Sequence, residues 1–281
     1  MYLADYHMHS KYSFDGSEEL EVMCEQAIRR GLSEIAVTDH MDIYTGLPYG
    51  ELMNYDVPGG EKVYMDVAGL YGELEEVRDR YAGRLKVKVG AELGQPRVNP
   101  EAAGAFLADY GERLDFIIGS IHNMEQDLDV YYYDFEKIDV ARMYDHYVDW
   151  LLELAENGDF DVMGHLTYPL RYMFERNRMR LDLNPYEEKF RLLFKLLTEN
   201  GRGIELNVSG LFRPMKDTMP PMSLLKLYRE CGGEIITIGS DAHKAECIGL
   251  FQKEAREILQ ESGFRYVTVF TRRKPEFIKI C

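Results

Sequence analysis

YLADYHMHSKYSFDGSEELEVMCEQAIRRGLSEIAVTDH, residues 2–40, holds one complete unit of the pattern that decides the fold. The run Tyr2–Tyr6 predicts a strand. Residues 17–30 carry helical spacing, with Ser17 as N-cap and Gly31 as stop, and Ser33–Thr38 predicts the next strand. Outward from this unit the same order returns: helix 61–82, strand Leu85–Ala91, helix 100–110, strand Leu114–Ile118, helix 136–157 and strand Asp161–Met163. Helix 185–200, strand Gly203–Asn207, helix 221–231, strand Glu234–Ile238 and helix 248–261 complete the series. Strict alternation requires parallel strands with helical crossovers, and seven such units without a reversal predict a closed α/β barrel of TIM type rather than an open sheet. The run Tyr266–Phe270 fits either an eighth strand or an edge piece packed outside, with Arg272, Arg273 and Lys274 as a solvated basic tail.

No Pro/Ser-rich linker, low-complexity stretch or internal repeat interrupts the sequence, so one domain spanning 1–281 is expected. With 33 basic against 49 acidic residues the net charge is −16, which argues against a nucleic-acid backbone or anionic lipid as main partner. An anionic substrate must then be drawn in locally, by metals or a few placed arginines. Cys24, Cys231, Cys247 and Cys281 show neither CxxC spacing nor a disulfide framework. With no basic-then-apolar leader and no run of 18 apolar residues, the expectation is a soluble, cytoplasmic protein.

Barrel enzymes place their chemistry at the C-terminal ends of the strands. Here the predicted strands end in His7-Met-His9, Asp39-His40, Glu92, His122, His165, Asn207 and Asp241-Ala-His243. Six of the seven histidines fall at these ends, and His146, inside a predicted helix, is read as a packed or surface residue. In extended chain, residues i and i+2 share a face, so His7 and His9 converge on one cation, and Asp241 and His243 on adjacent ones. Imidazole with carboxylate suits Zn, Mn, Fe or Co rather than Ca or Mg. Glu92, after LKVKVGA, sits where a carboxylate bridges two cations at roughly 3.5–4 Å separation. Asp15, in Ser13-Phe-Asp15-Gly16, reads on its own as a turn residue.

DYHMHSKYSFDGS (5–17), VTDH (37–40), GAE (90–92), GSIH (119–122), GHL (164–166), ELNVSGLFRP (205–214) and GSDAH (239–243), in this order and spacing, span nearly the whole chain. The chain resembles the PHP (polymerase and histidinol phosphatase) family, and within it the stand-alone histidinol-phosphate phosphatases. The resemblance implies a distorted (β/α)7 barrel with three divalent metal ions, Zn, Mn or Fe. By resemblance, His7, His9, Glu92 and Asp241 hold the first metal; Glu92 bridges to a second held with His122 and His165; and Asp15, His40 and His243 hold the third. That implication replaces the turn reading of Asp15.

The chemistry so implied is hydrolysis of a small phosphate ester by a hydroxide bridging two cations, with Asp241 taking the water's proton and His243 or His40 protonating the leaving alkoxide. Arg171 and Arg213 are the candidates for gripping phosphate, since a guanidinium fork matches its oxygens. Many relatives carry an acidic residue two positions after the histidine matching His165; here it is Thr167, which leaves recognition of a substrate amine open. The long segments 41–60 and 123–135 read as the rim of the barrel mouth, whose acids Asp42, Glu51, Glu125, Asp127 and Asp129 would attract the ammonium and imidazole of histidinol phosphate. The alternatives are another small phosphate ester such as a nucleotide, a metal-binding barrel without catalysis, and a polymerase proofreading module. Lack of polymerase segments and the acidic charge weigh against the last, and a complete ligand set against the second. The sequence does not state an oligomeric form.

Overall fold

The computed structural model describes residues 2–55, 60–124 and 127–280. The chain runs β1 (Ala4–Asp5), α1 (Leu20–Arg29), β2 (Glu34–Val37), β3 (His40–Asp42), β4 (Glu51–Asn54), β5 (Glu61–Tyr64), α2 (Val67–Tyr81) and β6 (Lys86–Gly94). It continues through α3 (Pro100–Tyr110), β7 (Phe116–Ser120), α4 (Val140–Asn157), β8 (Val162–Met163), α5 (Tyr168–Asn177), α6 (Glu187–Glu199), β9 (Gly203–Asn207) and α7 (Ser209–Phe212). Last come α8 (Met222–Glu230), β10 (Ile236–Gly239), α9 (Gln252–Glu261), β11 (Tyr266–Thr271) and β12 (Lys274–Lys279).

Seven strands form the predicted ring in the order β1-β2-β6-β7-β8-β9-β10, every pair parallel. The ring closes between its first and last strands: the Tyr6 N–H donates to the Ile238 carbonyl (2.9 Å), Asp241 N–H to His7 (2.8 Å) and His9 N–H to Ala242 (2.8 Å). Opposite β7, β6 is long enough to serve two partners along one edge, β2 on its first half and β3 on its second, where His40 stands opposite Glu92. Helices cover the outside, their buried faces merging into a core that includes Leu74, Phe106, Tyr144, Leu151, Phe190 and Tyr228. Among the described residues, no helix is long and apolar enough to cross a membrane.

Several boundaries differ from the expectation. α1 starts at Leu20 behind Glu19 rather than at Ser17, because Glu18 is engaged in the loop above the barrel, its carbonyl accepting from Lys11 N–H (2.8 Å). Residues 61–64 are not helix: they pair with β4 as an antiparallel hairpin, and α2 begins after Asp66, whose side chain caps it by accepting from Gly69 N–H. Helix α5 was not expected; Pro169 stands in its first turn, where its missing N–H costs nothing. The run Tyr266–Phe270 belongs to a hairpin, β11 with β12, and not to the barrel ring. Nor are Arg272 and Arg273 a solvated tail. They make the turn of that hairpin, and the Arg273 guanidinium pairs with Asp159 (2.7 Å) and Asp161 (3.1 Å). The hairpin plugs the N-terminal end of the barrel, where Val269 and Phe270 pack on Tyr6, Phe116, Ile118 and Val162.

Candidate metal centre

The first two histidines leave β1 between its hydrogen-bonded neighbours, so their backbone is held from both sides. The loop after them is tied down by Asp39, whose buried carboxylate accepts from Ser10 N–H (2.7 Å), Ser10 O–H (2.8 Å) and Ser13 O–H (2.7 Å). Ser13 Oγ in turn accepts from His40 N–H at 3.1 Å, which ties the Asp15 loop to β3.

Glu92 stands at the centre with no exposed surface. Its Oε1 lies 3.0 Å from His122 Nε2 and 2.8 Å from His165 Nε2, and its Oε2 lies 3.1 Å from His7 Nε2, 3.1 Å from His40 Nδ1 and 3.5 Å from His9 Nε2. Burial opposes ionisation of Glu92, but the surrounding imidazoles of His7, His122 and His40 outweigh it and hold the carboxyl well below its usual range. Asp241 behaves in the same way: burial pushes it up, and His7, His9 and His243 bring it well below the ordinary value. It adopts a left-handed backbone (φ 54°), an unusual state for a residue with a side chain, fixed by its N–H bond to His7. From there Oδ1 sits 3.5 Å from His9 Nε2 and 3.9 Å from His7 Nε2. Burial and the rings of His243 and His40 beside it bring the pKa of His9 down to about 3.

Asp15, His40 and His243 gather on the solvent side, with Asp15 Oδ2 2.9 Å from His243 Nε2 and Oδ1 3.6 Å from His40 Nε2. All nine residues expected as metal ligands therefore meet in one place. The donor atoms of His7, His9 and Asp241, of His7, Glu92 and His165, and of His9, His40 and His243 each lie within 4.8 Å of one another. His7 Nε2, His9 Nε2, His40 Nδ1 and Glu92 Oε2 are buried without a hydrogen-bond partner in the protein. Buried polar atoms left so are costly, and a converging group of them fits cations of the imidazole-and-carboxylate class.

Against this geometry, a family model described as PHP domain matches residues 5–209. The chain belongs to the PHP family. Two curated relatives align over nearly their whole length. The histidinol-phosphatase of Lactococcus lactis subsp. lactis is 26% identical over 276 residues, 96% of this chain and 95% of that one. A Thermotoga maritima protein named "Probable histidinol-phosphatase" is 25% identical over 268 residues, 95% of each chain. The crystal structure of the Lactococcus lactis histidinol phosphate phosphatase, complexed with zinc, L-histidinol and phosphate, matches with a TM-score of 0.81 at 25% identity, covering 98% of both chains.

Beside the PHP cluster opens a cavity of about 730 Å³ whose lining includes Asp15, Tyr44, Asp129, Tyr168, Arg171, Tyr172, Glu175 and Arg213. Both candidate arginines thus reach the mouth. Arg171 is buried, its Nη1 3.5 Å from Asp241 Oδ2 and its guanidinium 4.9 Å from the Tyr172 ring centre. Arg213 stands farther out, 3.9 Å from Glu175. The rim acids do not act as one group. Asp42 is buried and accepts from His122 Nδ1 at 2.9 Å, Glu51 pairs with Lys62 at 2.8 Å, and Asp127 accepts from Thr45. Asp129 does face the cavity, its pKa raised by burial, and Glu125 lies outside the described residues. Thr167 is buried at the start of α5, and His146 accepts from the Trp150 indole away from the site.

Sequence reasoning missed Glu205, Tyr168, Tyr172 and Glu175. Glu205 stands two residues before Asn207 on the same strand, and that spacing, which places both on one face, was the available signal. The other three belong to the unexpected helix α5.

Proposed function

We propose that this PHP chain hydrolyses L-histidinol phosphate to L-histidinol and phosphate, a step of histidine biosynthesis, as a metal-dependent phosphomonoesterase. The observation that carries the reading is the buried cluster of unpartnered imidazole and carboxylate atoms around Glu92, opening on a cavity that holds an arginine. The zinc, L-histidinol and phosphate bound in the Lactococcus lactis structure support the choice of ester and of cation.

His7, His9, Glu92 and Asp241 would hold one cation, Glu92, His122 and His165 a second, and Asp15, His40 and His243 a third, with zinc, manganese or iron suited to these donors. Such cations, when bound, lower the pKa of water to about 7 and neutralise phosphate oxygens. The chain's own groups do the rest. Asp241, kept ionised among imidazoles, would take the proton of the attacking water. Arg171, buried beside it, grips phosphate oxygens as a fixed cation, with Arg213 as a second, outer grip. His243 or His40, on the solvent side with Asp15, would give a proton to the leaving alkoxide. Tyr168, Tyr172 and Asp129 form the wall that would receive the imidazole and ammonium, aromatic faces and a carboxylate both favouring a cation.

Steady-state rates on a panel of phosphate esters test the substrate. The reading expects kcat/KM for L-histidinol phosphate to exceed that for mononucleotides and simple aryl phosphates. A mononucleotide as the better substrate would replace the ester while leaving the metal chemistry in place.

A further inference from the structure

Glu205, on β9, has no exposed surface and belongs to none of the ligand groups assigned above. Its Oε1 lies 2.7 Å from His7 Nδ1, its Oε2 accepts from the backbone N–H of His165 at 2.7 Å, and the Asn207 amide reaches both oxygens at 3.3 and 3.2 Å. Among the described residues its one ion-pair partner is His7; no lysine or arginine answers it. The barrel wall leaves room for this contact: a Cβ added at Gly239 would come within 2.0 Å of Glu205 Oε1. A buried carboxylate with no lysine or arginine beside it is expensive, so its place beneath the cluster calls for a reason.

Imidazole supplies one. A proton held on Nδ1 by an acceptor leaves the lone pair on Nε2, and a carboxylate acceptor also raises the ring's donor strength. His7 Nε2 is buried without a hydrogen-bond partner and points between Glu92 Oε2 (3.1 Å) and Asp241 Oδ1 (3.9 Å). We propose that Glu205 is a positioning residue of the metal centre: it holds His7 as the Nδ1–H tautomer with the Nε2 lone pair turned into the cluster, and with its other oxygen it fixes the backbone that carries His165. This rests on the metal-centre reading. Across the cluster, Asp42 makes the same contact with His122 Nδ1 at 2.9 Å, whereas His9 Nδ1 has only the Ser13 hydroxyl at 3.3 Å and the buried His165 Nδ1 has no hydrogen-bond partner. The bracing is therefore selective. His7 and His122 receive a carboxylate at Nδ1, and His9 and His165 do not.

The experiment is zinc retention by the full chain, wild type against Glu205→Gln, which keeps the shape of the side chain and removes its charge. With EDTA as competitor, the variant should hold zinc roughly 10–100-fold more weakly, while the melting temperature of its metal-free form does not fall. Equal zinc retention in the two proteins would overturn the proposal, as would weaker retention matched by a lower melting temperature of the metal-free form. Should the variant not fold, ¹⁵N-histidine NMR of zinc-loaded wild type decides: His7 protonated at Nδ1 and zinc-bound at Nε2 supports the assignment, and zinc at Nδ1 overturns it. A wild-type chain that takes up no zinc in either experiment would instead bring down the metal-centre reading, and this inference with it.

Discussion

At the N-terminal end of the barrel, buried acids are answered by the chain itself. Asp161 accepts from Ile117 N–H (2.8 Å) and pairs with Arg273 (3.1 Å), Asp115 accepts from the backbone N–H groups of Val89 (3.2 Å) and Arg272 (2.9 Å), and Glu34 takes the hydroxyls of Tyr2 and Tyr6. Over them the rings of Phe116 and Phe270 pack 5.0 Å apart. At the C-terminal end, the acids and imidazoles crowd against one another, joined by the Ser120 hydroxyl on Glu92 (2.6 Å) and Arg171 beside Asp241 (3.5 Å), and several donor atoms remain turned toward a common space. The first end is closed by contacts within the polypeptide; the second presents donor atoms that fit cations. The same barrel thus separates a finished structural end from a functional one that tolerates unpaired polar atoms and a left-handed aspartate.

Three substitutions sharpen this contrast. Asp241→Asn should cost the most, roughly 10²–10⁴-fold in kcat, the range for loss of a proton acceptor; near-normal turnover with full metal content would remove Asp241 from that role. Arg171→Met should cost roughly 10²-fold in kcat/KM, the scale of one fixed phosphate-stabilising donor, with metal content unchanged; metal loss in that variant would place Arg171 in the cluster's architecture rather than on the substrate. Arg273→Ala, at the other end, should lower unfolding stability by about 1–3 kcal/mol, because it leaves Asp161 short of a partner, yet leave kcat as it was. A kcat effect from Arg273→Ala, read by the same steady-state assay, would mean that the two ends are coupled.

The barrel was legible because its signal repeats: each βα unit restates the same alternation, and a boundary displaced by two residues, as at Ile236, does not alter the order. The ligand set was legible for a related reason. Parallel strands deliver their C-terminal residues to one face, so a histidine at a strand end already has an address. What escaped the sequence lacked such a rule. The spacing of Glu205 and Asn207 puts Glu205 on the inner face, but its bracing role, like that of Asp42, comes from ring nitrogens contributed by distant strands. The wall built by Tyr168, Tyr172 and Glu175 went unseen with α5, and the plug went unseen because Arg272 and Arg273 read as a charged tail until Asp159 and Asp161 stand next to them. Asp15 sits between these cases: its own neighbourhood reads as a turn, and the family resemblance was needed to bring it to His40 and His243.

Metal content of the purified chain, measured together with phosphate release from L-histidinol phosphate, tests whether a cation cluster hydrolyses the ester. Three equivalents of divalent metal are expected, with loss of turnover on chelation and its return with zinc, manganese or iron. Fewer than two tightly bound equivalents, or no phosphate released by the metal-loaded protein, would contradict it.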